Sequence, residues 1–126
     1  MIVLDTHAWV WWLVAPRRLS RRAARVIGRT ERIGISTMSV FELVQLTDRR
    51  RVTLDAPVRA WVREALAHER VEPLPLTADI ALDAAQLRFE SNPADRIIYA
   101  TARAADAQLV TRDERLRRFD PELTVW

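Results

Sequence analysis

Short apolar runs alternate with stretches of helical periodicity along the whole chain. Ile2-Val3-Leu4 is an unbroken apolar triplet, the pattern of a strand buried on both faces, and Asp5-Thr6 ends it. A short helix is expected over His7–Leu13. Ser20 caps a second, with Ala23, Ala24, Val26 and Ile27 as its stripe, closing near Gly28. Ile33–Ser36 reads as the second strand. Thr37 or Ser39 caps the helix after it, in which Val40, Leu43 and Val44 keep helical spacing and Met38 and Phe41 extend the buried surface. Arg49-Arg50-Arg51 makes a solvated corner. The most regular helix is expected over Pro57–Glu69, with Val58, Trp61, Val62, Ala65 and Leu66 on one face.

Val71–Leu76 is a third strand whose two prolines, Pro73 and Pro75, suit a sheet edge. Thr77 caps a helix through Leu87, with Ile80, Ala84 and Leu87 inward. Pro93 opens the next helix behind Ser91 or Asn92, because proline has no N–H to lose in a first turn and its φ already suits one. Gln108–Thr111 is a fourth strand. Asp113 opens a short helix carrying Leu116 and Phe119, and Leu123–Trp126 adds an edge strand. Strands separated by helices predict an α/β fold with a parallel sheet covered on both faces.

At 126 residues, without a linker or repeat, residues 1–126 fit one domain that buries about two thirds of its unfolded surface. The apolar opening is read as core, in a cytoplasmic protein. No basic residue precedes it, Asp5 interrupts it, and it is too short for the roughly 20 residues of a membrane span. The absence of cysteine removes disulfides and thiolate metal sites, and two histidines are too few for a zinc site, so any metal must be held by oxygen. All 20 basic residues are arginine. Without lysine there is no P-loop, and the resemblance in size and acidity to response-regulator receivers fails at the lysine that family uses. A net charge of +3 is compatible with a nucleic-acid substrate.

Four carboxylates stand at comparable places in four strand-to-helix units. Asp5 ends the first strand, Glu42 follows the second, Asp113 follows the fourth, and Asp95 lies in the first turn of the Pro93 helix. Ligands of open α/β sheets bind beyond the carboxyl ends of the strands, so all four project to one rim. A like-charged pair at about 4 Å costs about 4 kcal/mol at an effective dielectric near 20, and a divalent cation resolves that conflict. Mg²⁺ or Mn²⁺ prefers carboxylates and water, and suits hydrolysis of a phosphodiester. Thr6, Ser39 and Thr111 stand close in sequence to these acids, where their hydroxyls either orient carboxylates or cap helices and turns. No Ser-His-Asp arrangement competes.

Five blocks carry a resemblance. They are residues 3–8, Ile35-Ser36 through Ser39–Glu42, Leu74–Leu76, Asn92–Arg96 with Ala100–Ala102, and Leu109–Asp113. In this order and spacing they resemble the PIN domain, specifically the VapC-type toxins of prokaryotic toxin–antitoxin pairs. The resemblance implies a three-layer α/β/α sandwich, magnesium-dependent endoribonuclease activity, an RNA substrate, homodimers, and inhibition by a small VapB-type antitoxin. Position by position, Asp5, Glu42 and Asp95 match the family's acidic metal site and Asp113 its more variable fourth member. Many relatives carry His-X-Asp-Pro where this chain has Glu90-Ser91-Asn92-Pro93. Arg96 and Arg112 flank the site, as partners of its carboxylates or as contacts to RNA phosphates. The competing class is a catalytically idle module that keeps the acidic pocket to bind RNA or protein.

A partner is suggested independently by Trp9, Trp11 and Trp12. These positions span about 300° of a helical wheel, so some of their aromatic area is expected to face another chain, a second protomer or an antitoxin.

Overall fold

The computed structural model describes all 126 residues, with strands at Ile2–Leu4 (β1), Ile33–Ser36 (β2), Val71–Leu74 (β3), Gln108–Val110 (β4) and Thr124–Val125 (β5). Every neighbouring pair is parallel, in the order β3-β2-β1-β4-β5. The chain builds outward from β1 to β3, then returns to lay β4 on the other side of β1. The strand order therefore reverses between β1 and β4, which opens a crevice beyond their carboxyl ends. β3 and β5 are the edges, so Pro73 lies where a missing N–H is tolerated; β3 stops at Leu74, two residues short of the expected end, and Pro75 falls just beyond it.

The helices are Thr6–Val14 (α1), Arg21–Arg29 (α2), Thr37–Asp48 (α3), Val58–Leu66 (α4), Ala78–Ala85 (α5), Pro93–Ala104 (α6) and Glu114–Phe119 (α7), with a 3₁₀ turn at Pro16–Arg18. Alternation along the strands sorts the core into two halves. Ile2, Leu4, Ile33, Ile35 and Val110 pack with Trp9, Ile27, Leu43, Trp61 and Val62, which places α1–α4 on one face. Val3 and Leu109 pack with Ile98, Tyr99, Ala102 and Leu116 of α6 and α7 on the other. α5 lies against α6 through Ile80, Ala84 and Ala100. The result is the expected three-layer α/β/α sandwich. No helix is long and apolar enough to cross a membrane.

Several local expectations are corrected. α1 begins at Thr6, because the Asp5 carboxylate itself caps it by accepting the Ala8 N–H at 2.8 Å. Ser36 caps α3, where Thr37 or Ser39 was expected; the Thr37 hydroxyl instead accepts the Leu76 N–H. α4 stops at Leu66 and α5 at Ala85, short of Glu69 and Leu87. Phe41 is 58% exposed and Val44 also faces outward, so α3 is buried mainly through Ser39 and Leu43.

The tryptophans are covered by this chain's own side chains. Trp9 is fully buried edge-on against Trp61 at 5.2 Å. Trp11 is covered by Trp126, His7 and two arginines, and Trp12 lies on His68 at 5.0 Å. The expectation of aromatic area left for another chain fails for Trp9 and Trp11, because α4 and the C-terminus supply the missing cover.

Candidate active site

Asp5, Glu42, Asp95 and Asp113 all line one cleft of about 1110 Å³ at the carboxyl ends of the strands. Asp5 follows β1 directly. Its Oδ1 accepts the Ala8 N–H at 2.8 Å, its Oδ2 accepts the Thr111 hydroxyl at 2.6 Å, and its own N–H donates to Val110 O of β4. Asp113 caps α7, with Oδ1 accepting the Arg115 N–H at 2.8 Å. Its backbone N–H donates to the Thr111 hydroxyl at 3.1 Å, so one side chain ties the two aspartates together across the crevice.

Asp95 stands on the first turn of α6, behind Pro93. Asn92 Oδ1 caps the helix by accepting the Asp95 N–H at 2.9 Å, and the Ser91 hydroxyl donates to Asp95 Oδ2 at 3.0 Å. Glu42 reaches the cleft from α3, half-buried. Three of the four acids therefore occupy helix starts, as the sequence placed them, and capping uses only part of their oxygen lone pairs.

The electrostatics of the cleft disfavour the ionised form of two of these acids. Burial holds the Asp5 carboxyl above the usual carboxylate range, against the opposing bonds from Thr111 and Ala8, and Glu42 adds to the rise. Asp95 is pushed up to about 6, by burial first, then by Glu42, with Asp113 and Asp5 contributing and the Ser91 bond opposing. No arginine relieves this charge, since the only ion pair in the chain joins Arg32 to Glu72. Arg96 and Arg112 are thus not partners of the site carboxylates.

The hydroxyls divide. Thr111 both bonds Asp5 and caps the turn at Asp113, whereas the buried Thr6 and Ser39 hydroxyls reach no hydrogen-bond partner. No three of the acids and histidines are grouped closely enough to hold an ion by themselves. The donor set nevertheless fits a hard cation: all oxygen, unneutralised, and mutually repelling around one cleft. Magnesium ordinarily takes only one or two carboxylates and keeps several waters, so it does not require three of these acids to be grouped.

The remaining cleft residues include Arg18, Arg49, Arg51 and His7. Sequence reasoning passed over these arginines, because with 20 of them spread through the chain no spacing sets any apart. Arg49 and Arg51 of the solvated corner also edge the cleft.

Among known families, the PIN domain matches residues 2–121. Ribonuclease VapC22 of Mycobacterium tuberculosis (strain ATCC 25618 / H37Rv) is 37% identical over 129 residues, covering 99% of this chain and 98% of the relative. A toxin–antitoxin complex from Klebsiella pneumoniae contains a chain of the same fold, with a TM-score of 0.70 at 21% identity, over 100% of this chain and 97% of that one. VapBC2 of Rickettsia felis, bound to a DNA fragment from its promoter, gives 0.69 at 18% identity over 99% and 98%.

Proposed function

The chain belongs to the PIN-domain family, alongside the VapC ribonucleases, and from that premise we propose that it is an endoribonuclease toxin that hydrolyses RNA phosphodiester bonds with a divalent cation, Mg²⁺ or Mn²⁺, bound through carboxylates and water in the cleft lined by Asp5, Glu42, Asp95 and Asp113. The observation that carries this reading is the convergence of four carboxylates, from four separate segments of the chain, on one cleft in which none of them is ion-paired.

A divalent cation at such a site supplies charge stabilisation for the phosphodiester and a water made acidic enough to attack it. The chain's own residues do the rest. Thr111 fixes the Asp5 carboxylate by a hydrogen bond to one oxygen while the Ala8 N–H holds the other. Ser91 and Asn92 fix Asp95 through its carboxylate and its backbone. Glu42, whose charge helps to raise the proton affinity of Asp95, completes the acidic lining of the cleft from α3. The cleft gives the substrate room to lie across the acids.

The protein would act in the cytoplasm, as a homodimer restrained by a VapB-type antitoxin. The likeness to a chain found in a toxin–antitoxin complex supports the antitoxin.

Purified protein, freed of any partner, is incubated with total RNA and with transfer RNA in Mg²⁺, Mn²⁺ or EDTA. Discrete cleavage that needs metal and is lost in Asp5→Asn and Asp95→Asn is the expected result. Cleavage that persists in EDTA and in both variants overturns the metal mechanism. No cleavage from folded, metal-binding protein points to the idle binding module.

A further inference from the structure

The cleft holds a second feature that the acidic site does not use. Trp11, on α1, is only 7% exposed, and two guanidinium groups lie over its ring: Arg18 Cζ at 4.8 Å from the centroid and Arg112 Cζ at 5.8 Å. Arg18 ends the 3₁₀ turn after α1, and Arg112 follows Thr111 just beyond β4. All three residues line the same cleft as the four carboxylates.

Both arginines are exposed and neither forms an ion pair, although Arg112 is the chain neighbour of Asp113. An arginine present to balance the acids would turn its fork onto one of them. Here the indole, itself braced by Trp126 at 5.9 Å and His7 at 5.5 Å, holds the guanidinium planes by cation–π attraction and leaves their N–H donors for something else. Planar forks suit the oxygens of a phosphate. Trp11 is too deeply buried to stack a base, so the pair reads backbone and not sequence.

We propose that Arg18 and Arg112, held over Trp11, form a binding site for a phosphate of the single-stranded RNA backbone beside the one being cut. This rests on the nuclease reading above and adds the means by which the strand is held across the acids. The contact acts on binding, so its loss raises KM and spares kcat.

The test uses the full chain carrying Arg18→Gln, Arg112→Gln or both, with Arg59→Gln on the outer surface of α4 as the control for general charge. Steady-state cleavage of a single-stranded oligoribonucleotide in Mg²⁺ gives KM and kcat. Fluorescence anisotropy in the Asp5→Asn background gives affinity against KCl from about 50 to about 200 mM. Each cleft substitution is expected to raise KM about fivefold, the loss of roughly 1 kcal/mol, and to lower the log–log salt slope by about 0.7, the value of one single-strand phosphate contact. Arg59→Gln leaves the slope unchanged. Wild-type cleavage with the same slope in the cleft variants as in Arg59→Gln overturns the phosphate site and leaves the nuclease standing. A wild-type chain that neither binds nor cuts the oligonucleotide overturns both.

Discussion

The Thr111 hydroxyl donates to Asp5 Oδ2 at 2.6 Å and accepts the Asp113 N–H at 3.1 Å, spanning the point where the strand order reverses. The residue is fully buried, so neither bond can be replaced by solvent without opening the sheet. One hydroxyl thus sets the spacing between two acids contributed by opposite ends of the chain.

Thr111→Val keeps the shape and removes both bonds. The Asp113 N–H is left without its partner, which costs about 1–3 kcal/mol, and the Asp5 carboxyl, losing the strongest of the bonds that favour its ionised form, moves further up. Urea denaturation should show the loss of stability, and cleavage at neutral pH should fall by at least tenfold. Thr111→Ser, which restores a donor and an acceptor, should recover most of both. A valine variant as active and as stable as wild type would show that the bridge positions nothing.

Metal should stabilise the fold as well as serve the chemistry, because binding removes the repulsion among the acids. At about a hundred times Kd the gain is about 2.7 kcal/mol, several degrees in Tm for a domain of this size. The thermal midpoint of the wild type should rise with Mg²⁺, and that of Asp95→Asn much less. Equal midpoints for the wild type with and without the ion at saturating concentration would remove the cation from the site.

Gly34 marks how closely β2 is packed against its neighbours. A Cβ built there would lie 2.6 Å from Leu74 Cδ1 and 3.2 Å from both Val3 Cγ2 and the Met1 sulfur. Leu74 can swing aside at the sheet edge, but Val3 is a β-branched side chain in the central strand and cannot. Gly34→Ala is expected to lower the urea midpoint by about 1–3 kcal/mol equivalent, with an unchanged m-value.

Much of the site was legible because its acids sit where the backbone advertises them. Asp5 follows an apolar triplet, Asp95 follows Asn92-Pro93, and Asp113 opens a helix after a short strand; each position is dictated by capping chemistry that acts locally. Features set by distant residues were not legible. Trp11 is covered by Trp126 from the other end of the chain, and no local rule foresees that. α3 misled because Met38, Val40, Phe41, Leu43 and Val44 run almost around the helix, so periodicity could not choose the face that leaves Phe41 exposed. Nor could spacing say which hydroxyl would meet a carboxylate: Thr6, beside Asp5 in sequence, does not, and Thr111 does.

Asp95 ties pH to stability with a sign that can be worked out. Its folded value of about 6 lies above its ordinary 3.8, so between those limits the folded chain keeps a proton that the unfolded chain has released. By linkage, the contribution of Asp95 to stability falls as pH rises through that window, and the penalty is constant above it. In EDTA at pH 7.5, Asp95→Asn should therefore be more stable than the wild type, with the gap closing as pH falls toward 4. Mg²⁺ at the higher pH should reverse the order, because the wild-type carboxylate then gains a partner the amide cannot replace. At limiting Mg²⁺ the apparent affinity for the ion should rise with pH through about 6, as Asp95 gives up the proton that competes with the cation. Paired urea titrations of the two proteins at both pH values, with and without the ion, decide the matter. An Asp95→Asn variant less stable than the wild type in EDTA at pH 7.5 would mean that Ser91 and the helix start already stabilise the charge, and that the site does not depend on a cation to neutralise it.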